Sequence, residues 1–192
     1  MDAVTVSWMA KQYGTVGGSL RAGRNSWASS EANAKAGLTG ERRCAKMLAA
    51  LPDNFAVIHD VKIPGSAANV DHVVVVGRKV FLIDSKLWKP GLFWSVSGMS
   101  FRGWTRFAVA DKKTMAMALH RFERAVPRAK FAQPKACVLT SAAQRPANVT
   151  LLRVPGCHSL NENDFERFLR RLGRKKTRAD PEIVGLFARF AN

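Results

Sequence analysis

Asp71, Asp84 and Lys86 are the residues whose types and spacing could do chemistry. They fall in two runs dense in β-branched residues, 70–76 and 79–86, which read as strands joined at Gly77-Arg78. A two-residue turn there pairs Val76 with Lys79 and sets Asp71 directly opposite Asp84. Opposed residues of an antiparallel pair point to one face, and Lys86, two positions past Asp84, points the same way. A four-residue turn keeps all three together. A three-residue turn without a bulge separates them, because a one-residue slip flips the faces. Two carboxylates roughly 5 Å apart repel each other, and burial demands a compensating partner. That partner is either the Lys86 ammonium or a hard divalent cation, which takes carboxylate oxygens and keeps several waters. The blander reading is a plain Asp–Lys–Asp ion cluster at a sheet end.

Glu41 adds a third acid. Leu38, Cys44, Met47, Leu48 and Leu51 recur at helical spacing, and Pro52 stops the pattern. Glu41 lies on that apolar stripe, three residues after Leu38 and three before Cys44. A carboxylate there must be paired, protonated or metal-bound. The alternative is a first-turn acid favoured by the helix dipole.

The elements that must position these groups follow from periodicity. Residues 1–35, rich in Gly, Ser, Ala and Asn, read as a loosely ordered arm. Residues 36–192 read as a single α/β domain. Its first helix is followed by a strand over 55–61 and the 70–86 hairpin, both of whose faces are apolar: Val73 and Val75 on one, Val74 and Val76 on the other. That marks a central strand pair covered on both sides. A further hairpin is expected over 93–105, a helix over 111–126 with Met115, Leu119, Phe122 and Val126 as its stripe, and short strands over 136–140 and 151–154. Asn161 caps one more helix, and Asp180-Pro181 opens the last. This order predicts a mixed sheet flanked by helices.

Composition narrows the partners. The 192 residues include 31 Lys+Arg and 14 Asp+Glu, a formal charge of +17. A chain that basic repels itself unless a polyanion is near, so nucleic acid or an anionic membrane is the first partner to consider. No run reaches the roughly 18 apolar residues of a membrane span, and the start lacks a secretory signal. Cys44, Cys137 and Cys157 are too few and unevenly spaced for a disulfide framework, which points to a reducing cytoplasm. Cys157-His158 read as loop residues, since two neighbours do not make a zinc site. His72 and Ser85 alternate to the face opposite Asp71 and Asp84, and His72 reads as a hydrogen-bonded packing residue.

Phosphate and base contacts have their own candidates. Trp88, Trp94 and Trp104 are interleaved with Lys89, Arg102 and Arg106, a mixture able to stack on bases and contact phosphates. A hydrophobic cluster beneath a loop explains the same aromatics. A second basic set, Arg170, Arg171, Arg174, Lys175 and Lys176, falls in a run of seven basic residues in twelve over 167–178. On so basic a protein it reads as a phosphate-tracking patch.

Gly40-Glu41, Leu51-Pro52, Val57-Ile58-His59-Asp60-Val61, Val70-Asp71-His72-Val73-Val74-Val75 and Phe81-Leu82-Ile83-Asp84-Ser85-Lys86, with Trp88 and Gly91, together resemble the nuclease-related domain (NERD) family of the PD-(D/E)XK superfamily. The resemblance covers 36–126. It implies a restriction-endonuclease-like core: a mixed central β-sheet flanked by helices. It further implies Asp71 and Asp84 as metal-binding acids, Lys86 as the catalytic lysine and Glu41 as a supporting acid. Mg²⁺, with Mn²⁺ as substitute, would serve phosphodiester hydrolysis, with DNA the favoured polyanion. Two departures stand out: Asp84 occupies a position where the family more often has Glu, and the stretch Thr114-Met115-Ala116-Met117-Ala118-Leu119 lacks the family's frequent Gln. The second favours a rival expectation, a DNA-binding module that does not cut. A basic RNA- or ribosome-associated protein is a third, and it leaves the buried-face acids unexplained.

Overall fold

The two-residue turn at Gly77-Arg78 is present, with Val76 opposite Lys79 and His72 opposite Ile83. Gly77 permits it, at φ 55°. The computed structural model describes residues 9–18, 31–141 and 146–192. The elements run β1 (Lys11–Tyr13), α1 (Glu31–Ala49), β2 (Ala56–Lys62), β3 (Asn69–Val76), β4 (Lys79–Trp88), β5 (Leu92–Val96), β6 (Met99–Arg102) and β7 (Thr105–Arg106). After a short 3₁₀ turn come α2 (Thr114–Ala125), β8 (Lys130–Phe131), β9 (Lys135–Thr140), β10 (Asn148–Leu151), β11 (His158–Asn161), α3 (Glu162–Leu172) and α4 (Pro181–Ala188).

Among the described residues the main sheet has the order β1-β2-β3-β4-β9-β11, with β8 also on β4. β2, β3 and β4 are antiparallel neighbours, while β1 on β2, β9 on β4 and β11 on β9 are parallel. The sheet is therefore mixed, with helices on both faces, as the sequence predicts. Val73, Val75, Val80 and Leu82 pack with Phe122 of α2 and Phe187 of α4. Val74, Val76, Phe81 and Ile83 turn to the other face, against Cys44 and Leu48 of α1 and Phe165 and Leu169 of α3. Each central valine of β3 is buried. At about 25 cal/mol per Å² of apolar surface, these two layers supply most of the drive that holds the hairpin.

A smaller sheet, β10-β5-β6-β7, leaves the main one just past Trp88. Its Phe93 and Val149 pack with Val138 in a third cluster.

Several boundaries differ from expectation. The first helix begins at Glu31 rather than near Leu38, because alternating alanines over 32–36 are strong helix formers that need no apolar stripe. Residues 11–13, read as part of a loose arm, are an edge strand on β2; so short and polar a strand has no period to see. The remainder of the predicted arm, 1–8 and 19–30, lies outside the described residues. The strand expected over 151–154 sits three residues earlier, at Asn148–Leu151. Cys157 and His158 do not form a loop: Cys157 is buried and His158 starts β11, whose backbone pairs with β9. The caps stand as expected. Asn161 Oδ1 accepts the N–H of Asp164, and Asp180 accepts from Glu182 and Ile183 with Pro181 in the first turn.

Candidate active site

The β3–β4 ladder runs from Val76–Lys79 to His72–Ile83. Beyond it, β4 continues on β9, with Asp84 opposite Ala136 and Lys86 opposite Val138. Asp71 therefore stands where two strands part, and its carboxylate takes over a backbone donor of the neighbouring strand. Asp71 Oδ2 accepts the Ser85 N–H at 2.6 Å and the Ser85 hydroxyl at 2.7 Å. This corrects the placement of Ser85 opposite Asp71. Strict alternation applies to paired residues, and this pair lies past the end of the ladder. Lys86 Nζ meets Asp84 Oδ1 at 2.6 Å.

Glu41 arrives from α1 because residue 40 is glycine. A Cβ at that position would lie 3.2 Å from Leu87 Cβ and 3.4 Å from its backbone nitrogen. The missing side chain lets α1 pack close on β4 and brings its next residue over the parting strands. Glu41, Asp71, Ser85, Lys86 and Trp88 line one open cavity of about 250 Å³, with Ala36 and Gly37 of α1 on its rim. The four catalytic candidates are thus brought together: three line the cavity, and Asp84 is ion-paired to one of them.

The electrostatics are those of crowded acids. Burial, then the charges of Asp71, Asp60 and Asp84, push the Glu41 carboxyl up to about 9 against the pull of Lys86. Burial and the Asp84 charge raise Asp71 to about 6, while Lys86 and the two Ser85 bonds pull it back. Burial disfavours the Lys86 ammonium, but the Asp84 and Asp71 carboxylates outweigh it and hold Lys86 above its ordinary value. Lys86 therefore stays cationic at neutral pH.

Four neighbours of this cluster, Asp60, Gly17, Gly18 and His59, have no role assigned from the sequence. Asp60 is buried, with a positive φ of 50°, and accepts from Asn69 at 2.6 Å and Asn192 at 3.3 Å. Its signal was present: an acid inside an otherwise buried strand. Gly17 and Gly18 lie against Glu41 and Asp60, where a Cβ would stand 3.4 Å from Glu41 Oε2 and 2.8 Å from Asp60 Oδ2. His59 and His72 face each other, Nδ1 to Nδ1 at 2.9 Å, and His59 Nε2 meets Gln12 Oε1 at 2.6 Å. His72 is thus a hydrogen-bonded packing residue, as expected. Burial lowers His59 to about 4 and, with His59 beside it, His72 to about 3.

The nucleic-acid candidates scatter. Trp88 packs against Phe93 at 4.9 Å and Phe107 at 4.8 Å, so its ring is chiefly core. Lys89 is exposed just past β4. Arg102 donates to the Pro90 carbonyl and Arg106 to that of Ser100, which ties both to the small sheet. Arg170 and Arg171 lie in the last turns of α3. Arg174, Lys175 and Lys176 are exposed in a segment docked on the Gly77-Arg78 turn: Gly77 donates to the Arg178 carbonyl at 3.1 Å, and Asn54 to the Lys175 carbonyl at 2.9 Å. Asp71 is five residues from Val76, roughly 17 Å of strand, so this basic segment sits at the opposite end of the hairpin from the acids.

A mixed sheet between two helical layers, with acids and a lysine gathered where its central strands part, defines an α/β domain with a nuclease-like core. Residues 36–135 match the family model of the nuclease-related domain, and the chain belongs to that family. No curated protein and no solved structure matches it.

Proposed function

We propose that the chain hydrolyses DNA phosphodiester bonds with Mg²⁺ held by Asp71 and Asp84, Mn²⁺ serving as substitute. The observation that carries this reading is the gathering of Glu41, Asp71, Asp84 and Lys86 around one open cavity in a chain of net charge +17. A family of nuclease-related domains implies a nucleic-acid partner; DNA is the proposal.

The donor set suits a hard cation. Among the described residues, no group of three or more His, Cys, Asp and Glu side chains is arranged to hold a metal. Mg²⁺ binds through one or two carboxylates and keeps several waters, so two acids are enough. Ser85 occupies one oxygen of Asp71 and Lys86 one oxygen of Asp84, and each carboxylate retains a second oxygen to offer. Burial and the Asp84 charge together raise Asp71, and a bound cation offsets both. A bound Mg²⁺ supplies Lewis-acid polarisation of the phosphate. Lys86, held cationic, positions the attacking water and offsets charge developing on the phosphoryl oxygens. It does not act as the general base. Glu41, its carboxyl raised by burial and by the neighbouring acids, holds a proton at neutral pH and leaves the cation to Asp71 and Asp84. The buried free cysteines agree with a cytoplasmic setting.

The rival is a DNA-binding module on the same fold, favoured by the absence of Gln from α2 over Thr114–Leu119. Incubation of the full chain with plasmid and short duplexes, in Mg²⁺, Mn²⁺ or EDTA, separates the two. The proposal expects cation-dependent cutting that Asp84→Ala and Lys86→Ala abolish. Cutting that survives Asp84→Ala removes the proposed site. Binding without cutting by any of the proteins establishes the module.

A further inference from the structure

A second concave site lies along the far edge of the main sheet. β11 is the last strand in the sheet order and α3 follows it directly. Asp164, Arg167, Phe168 and Arg171 share one face of α3, at helical spacing, and that face runs beside the edge. Residues 149–153 close the other side and leave a cleft of about 470 Å³.

The cleft is cationic. Lys135, Arg153, Arg167 and Arg171 line it, against one lining acid, Asp164. Asp164 is already ion-paired to Arg167, so three cations remain without a lining counter-charge among the described residues. Lys135 Nζ lies 3.2 Å from His158 Nδ1, so the imidazole accepts from the ammonium in its neutral form. Burial and Lys79 pull Lys135 below its ordinary value despite Cys157. Burial, Lys135 and Arg153 do the same to His158 against Asp164. Ser159 adds an independent sign: it lines the cleft, is buried, and its hydroxyl has no hydrogen-bond partner among the described residues. Buried hydroxyls are nearly always satisfied, and unpaired guanidinium forks match the oxygens of a phosphate.

We propose that the cleft between β11 and α3 binds a phosphate group of a nucleic-acid strand, gripped by Lys135, Arg153 and Arg171. The choice of nucleic acid as the source rests on the proposed function; the site itself needs neither metal nor cutting. Its position is suited to the task. β9 alone separates β11 from β4, and His158 is level with Lys135, which is level with Ile83 beside Asp84. That is about 10 Å across the sheet. α1, which carries Glu41, and α3, which carries Arg167 and Arg171, cover the same side of the sheet. A strand lying in the acid cavity can therefore present a nearby phosphate to the cleft. The terminal phosphate of a strand end and an internal diester share this chemistry.

The test uses the full chain in EDTA, where nothing is cut. Pyrophosphate and short single-stranded DNA, with and without a 5′-phosphate, are titrated while the backbone amides of Arg153, Ser159 and Arg171 are followed by NMR. Saturable shifts at those amides are expected. An Arg153→Ala, Arg171→Ala double variant should weaken DNA binding about tenfold at 0.1 M salt and lower its salt slope by about two. Both arginines are exposed, and Lys replacements that restore binding exclude misfolding as the cause. Arg178→Ala, at the other end of the hairpin, should leave pyrophosphate binding unchanged. Tighter binding of the phosphorylated DNA supports a terminal phosphate, and equal binding an internal one. Pyrophosphate shifts without DNA binding overturn the nucleic-acid source. DNA binding with the cleft amides unmoved overturns the cleft and leaves the nuclease reading intact.

Discussion

Ser85 holds Asp71 twice, through its backbone N–H at 2.6 Å and its hydroxyl at 2.7 Å. Both bonds favour the ionised carboxylate and lower its pKa against burial and the Asp84 charge. Ser85→Ala removes one of them and leaves the backbone bond in place. The variant is expected to fold with a loss of about 1 kcal/mol. Asp71 should then ionise at higher pH, so the acidic limb of the cation-dependent cleavage profile shifts upward. An unmoved limb would mean that Asp71 does not have to ionise for cleavage.

Glu41 and Asp71 set the pH response of the metal-free chain. Both carboxyls are raised in the folded state, to about 9 and about 6. The folded chain therefore keeps protons that the unfolded chain has released, and stability falls as pH rises from about 4.5 towards about 9. Glu41→Gln removes the larger share. Its unfolding free energy, from denaturant titration, should match wild type near pH 4 and exceed it increasingly up to pH 9, by on the order of 2 kcal/mol at pH 8. Equal free energies across that range would show that Glu41 titrates normally.

Lys86 separates two roles that its position allows. Its ammonium is favoured by Asp84 and Asp71 more than burial disfavours it, so it stays charged through the working range. Lys86→Ala should lower the cleavage rate roughly 100-fold or more while duplex affinity in EDTA changes little. The remaining pH profile should keep its shape, since no Lys86 titration contributes to it. A basic limb that disappears with Lys86 would assign it the role of base.

The hairpin was legible because turn length and β-branching together fix register, and the paired strands Val73–Val76 and Val80–Ile83 are buried on both faces. The site was legible only to the last paired residues. Past His72–Ile83 the strands part, and from there contacts depend on which element takes over each freed backbone group. Ser85 reaches Asp71 for that reason, and alternation could not show it. Gly40 is a different case: its role comes from the closeness of Leu87, a contact between distant segments that no local spacing records. β1 and β11 were invisible because strands of three or four residues carry no usable period.

Trp88 distinguishes a packing aromatic from a base-stacking one. It rims the acid cavity, yet its ring packs on Phe93 and Phe107. Trp88→Ala should cost about 3 kcal/mol by opening a cavity, and Trp88→Phe much less. Single-strand affinity of a Trp88→Leu variant, compared under conditions where it is folded, should stay within about twofold of wild type, since a ring committed to Phe93 and Phe107 offers no face to a base. A large loss of affinity by the folded variant would reassign the ring to the nucleic acid.

The basic segment after α3 should govern affinity without governing chemistry. Arg174, Lys175 and Lys176 are exposed, and their chain is anchored to Asn54 and Gly77 at the turn end of the hairpin. The acids stand at the other end, so these cations cannot touch the phosphate being attacked. They can hold only a distant part of a long duplex. Replacing all three with Gln should lower the salt slope of duplex binding by about three, one per cation, and raise the KM for a long duplex. The rate at saturating substrate should not change, because no group at the acid cavity has moved. A substrate too short to span the hairpin should be bound equally by both proteins. A drop in saturated rate, or an equal loss on the short substrate, would place the segment beside the acids and contradict the register that separates them.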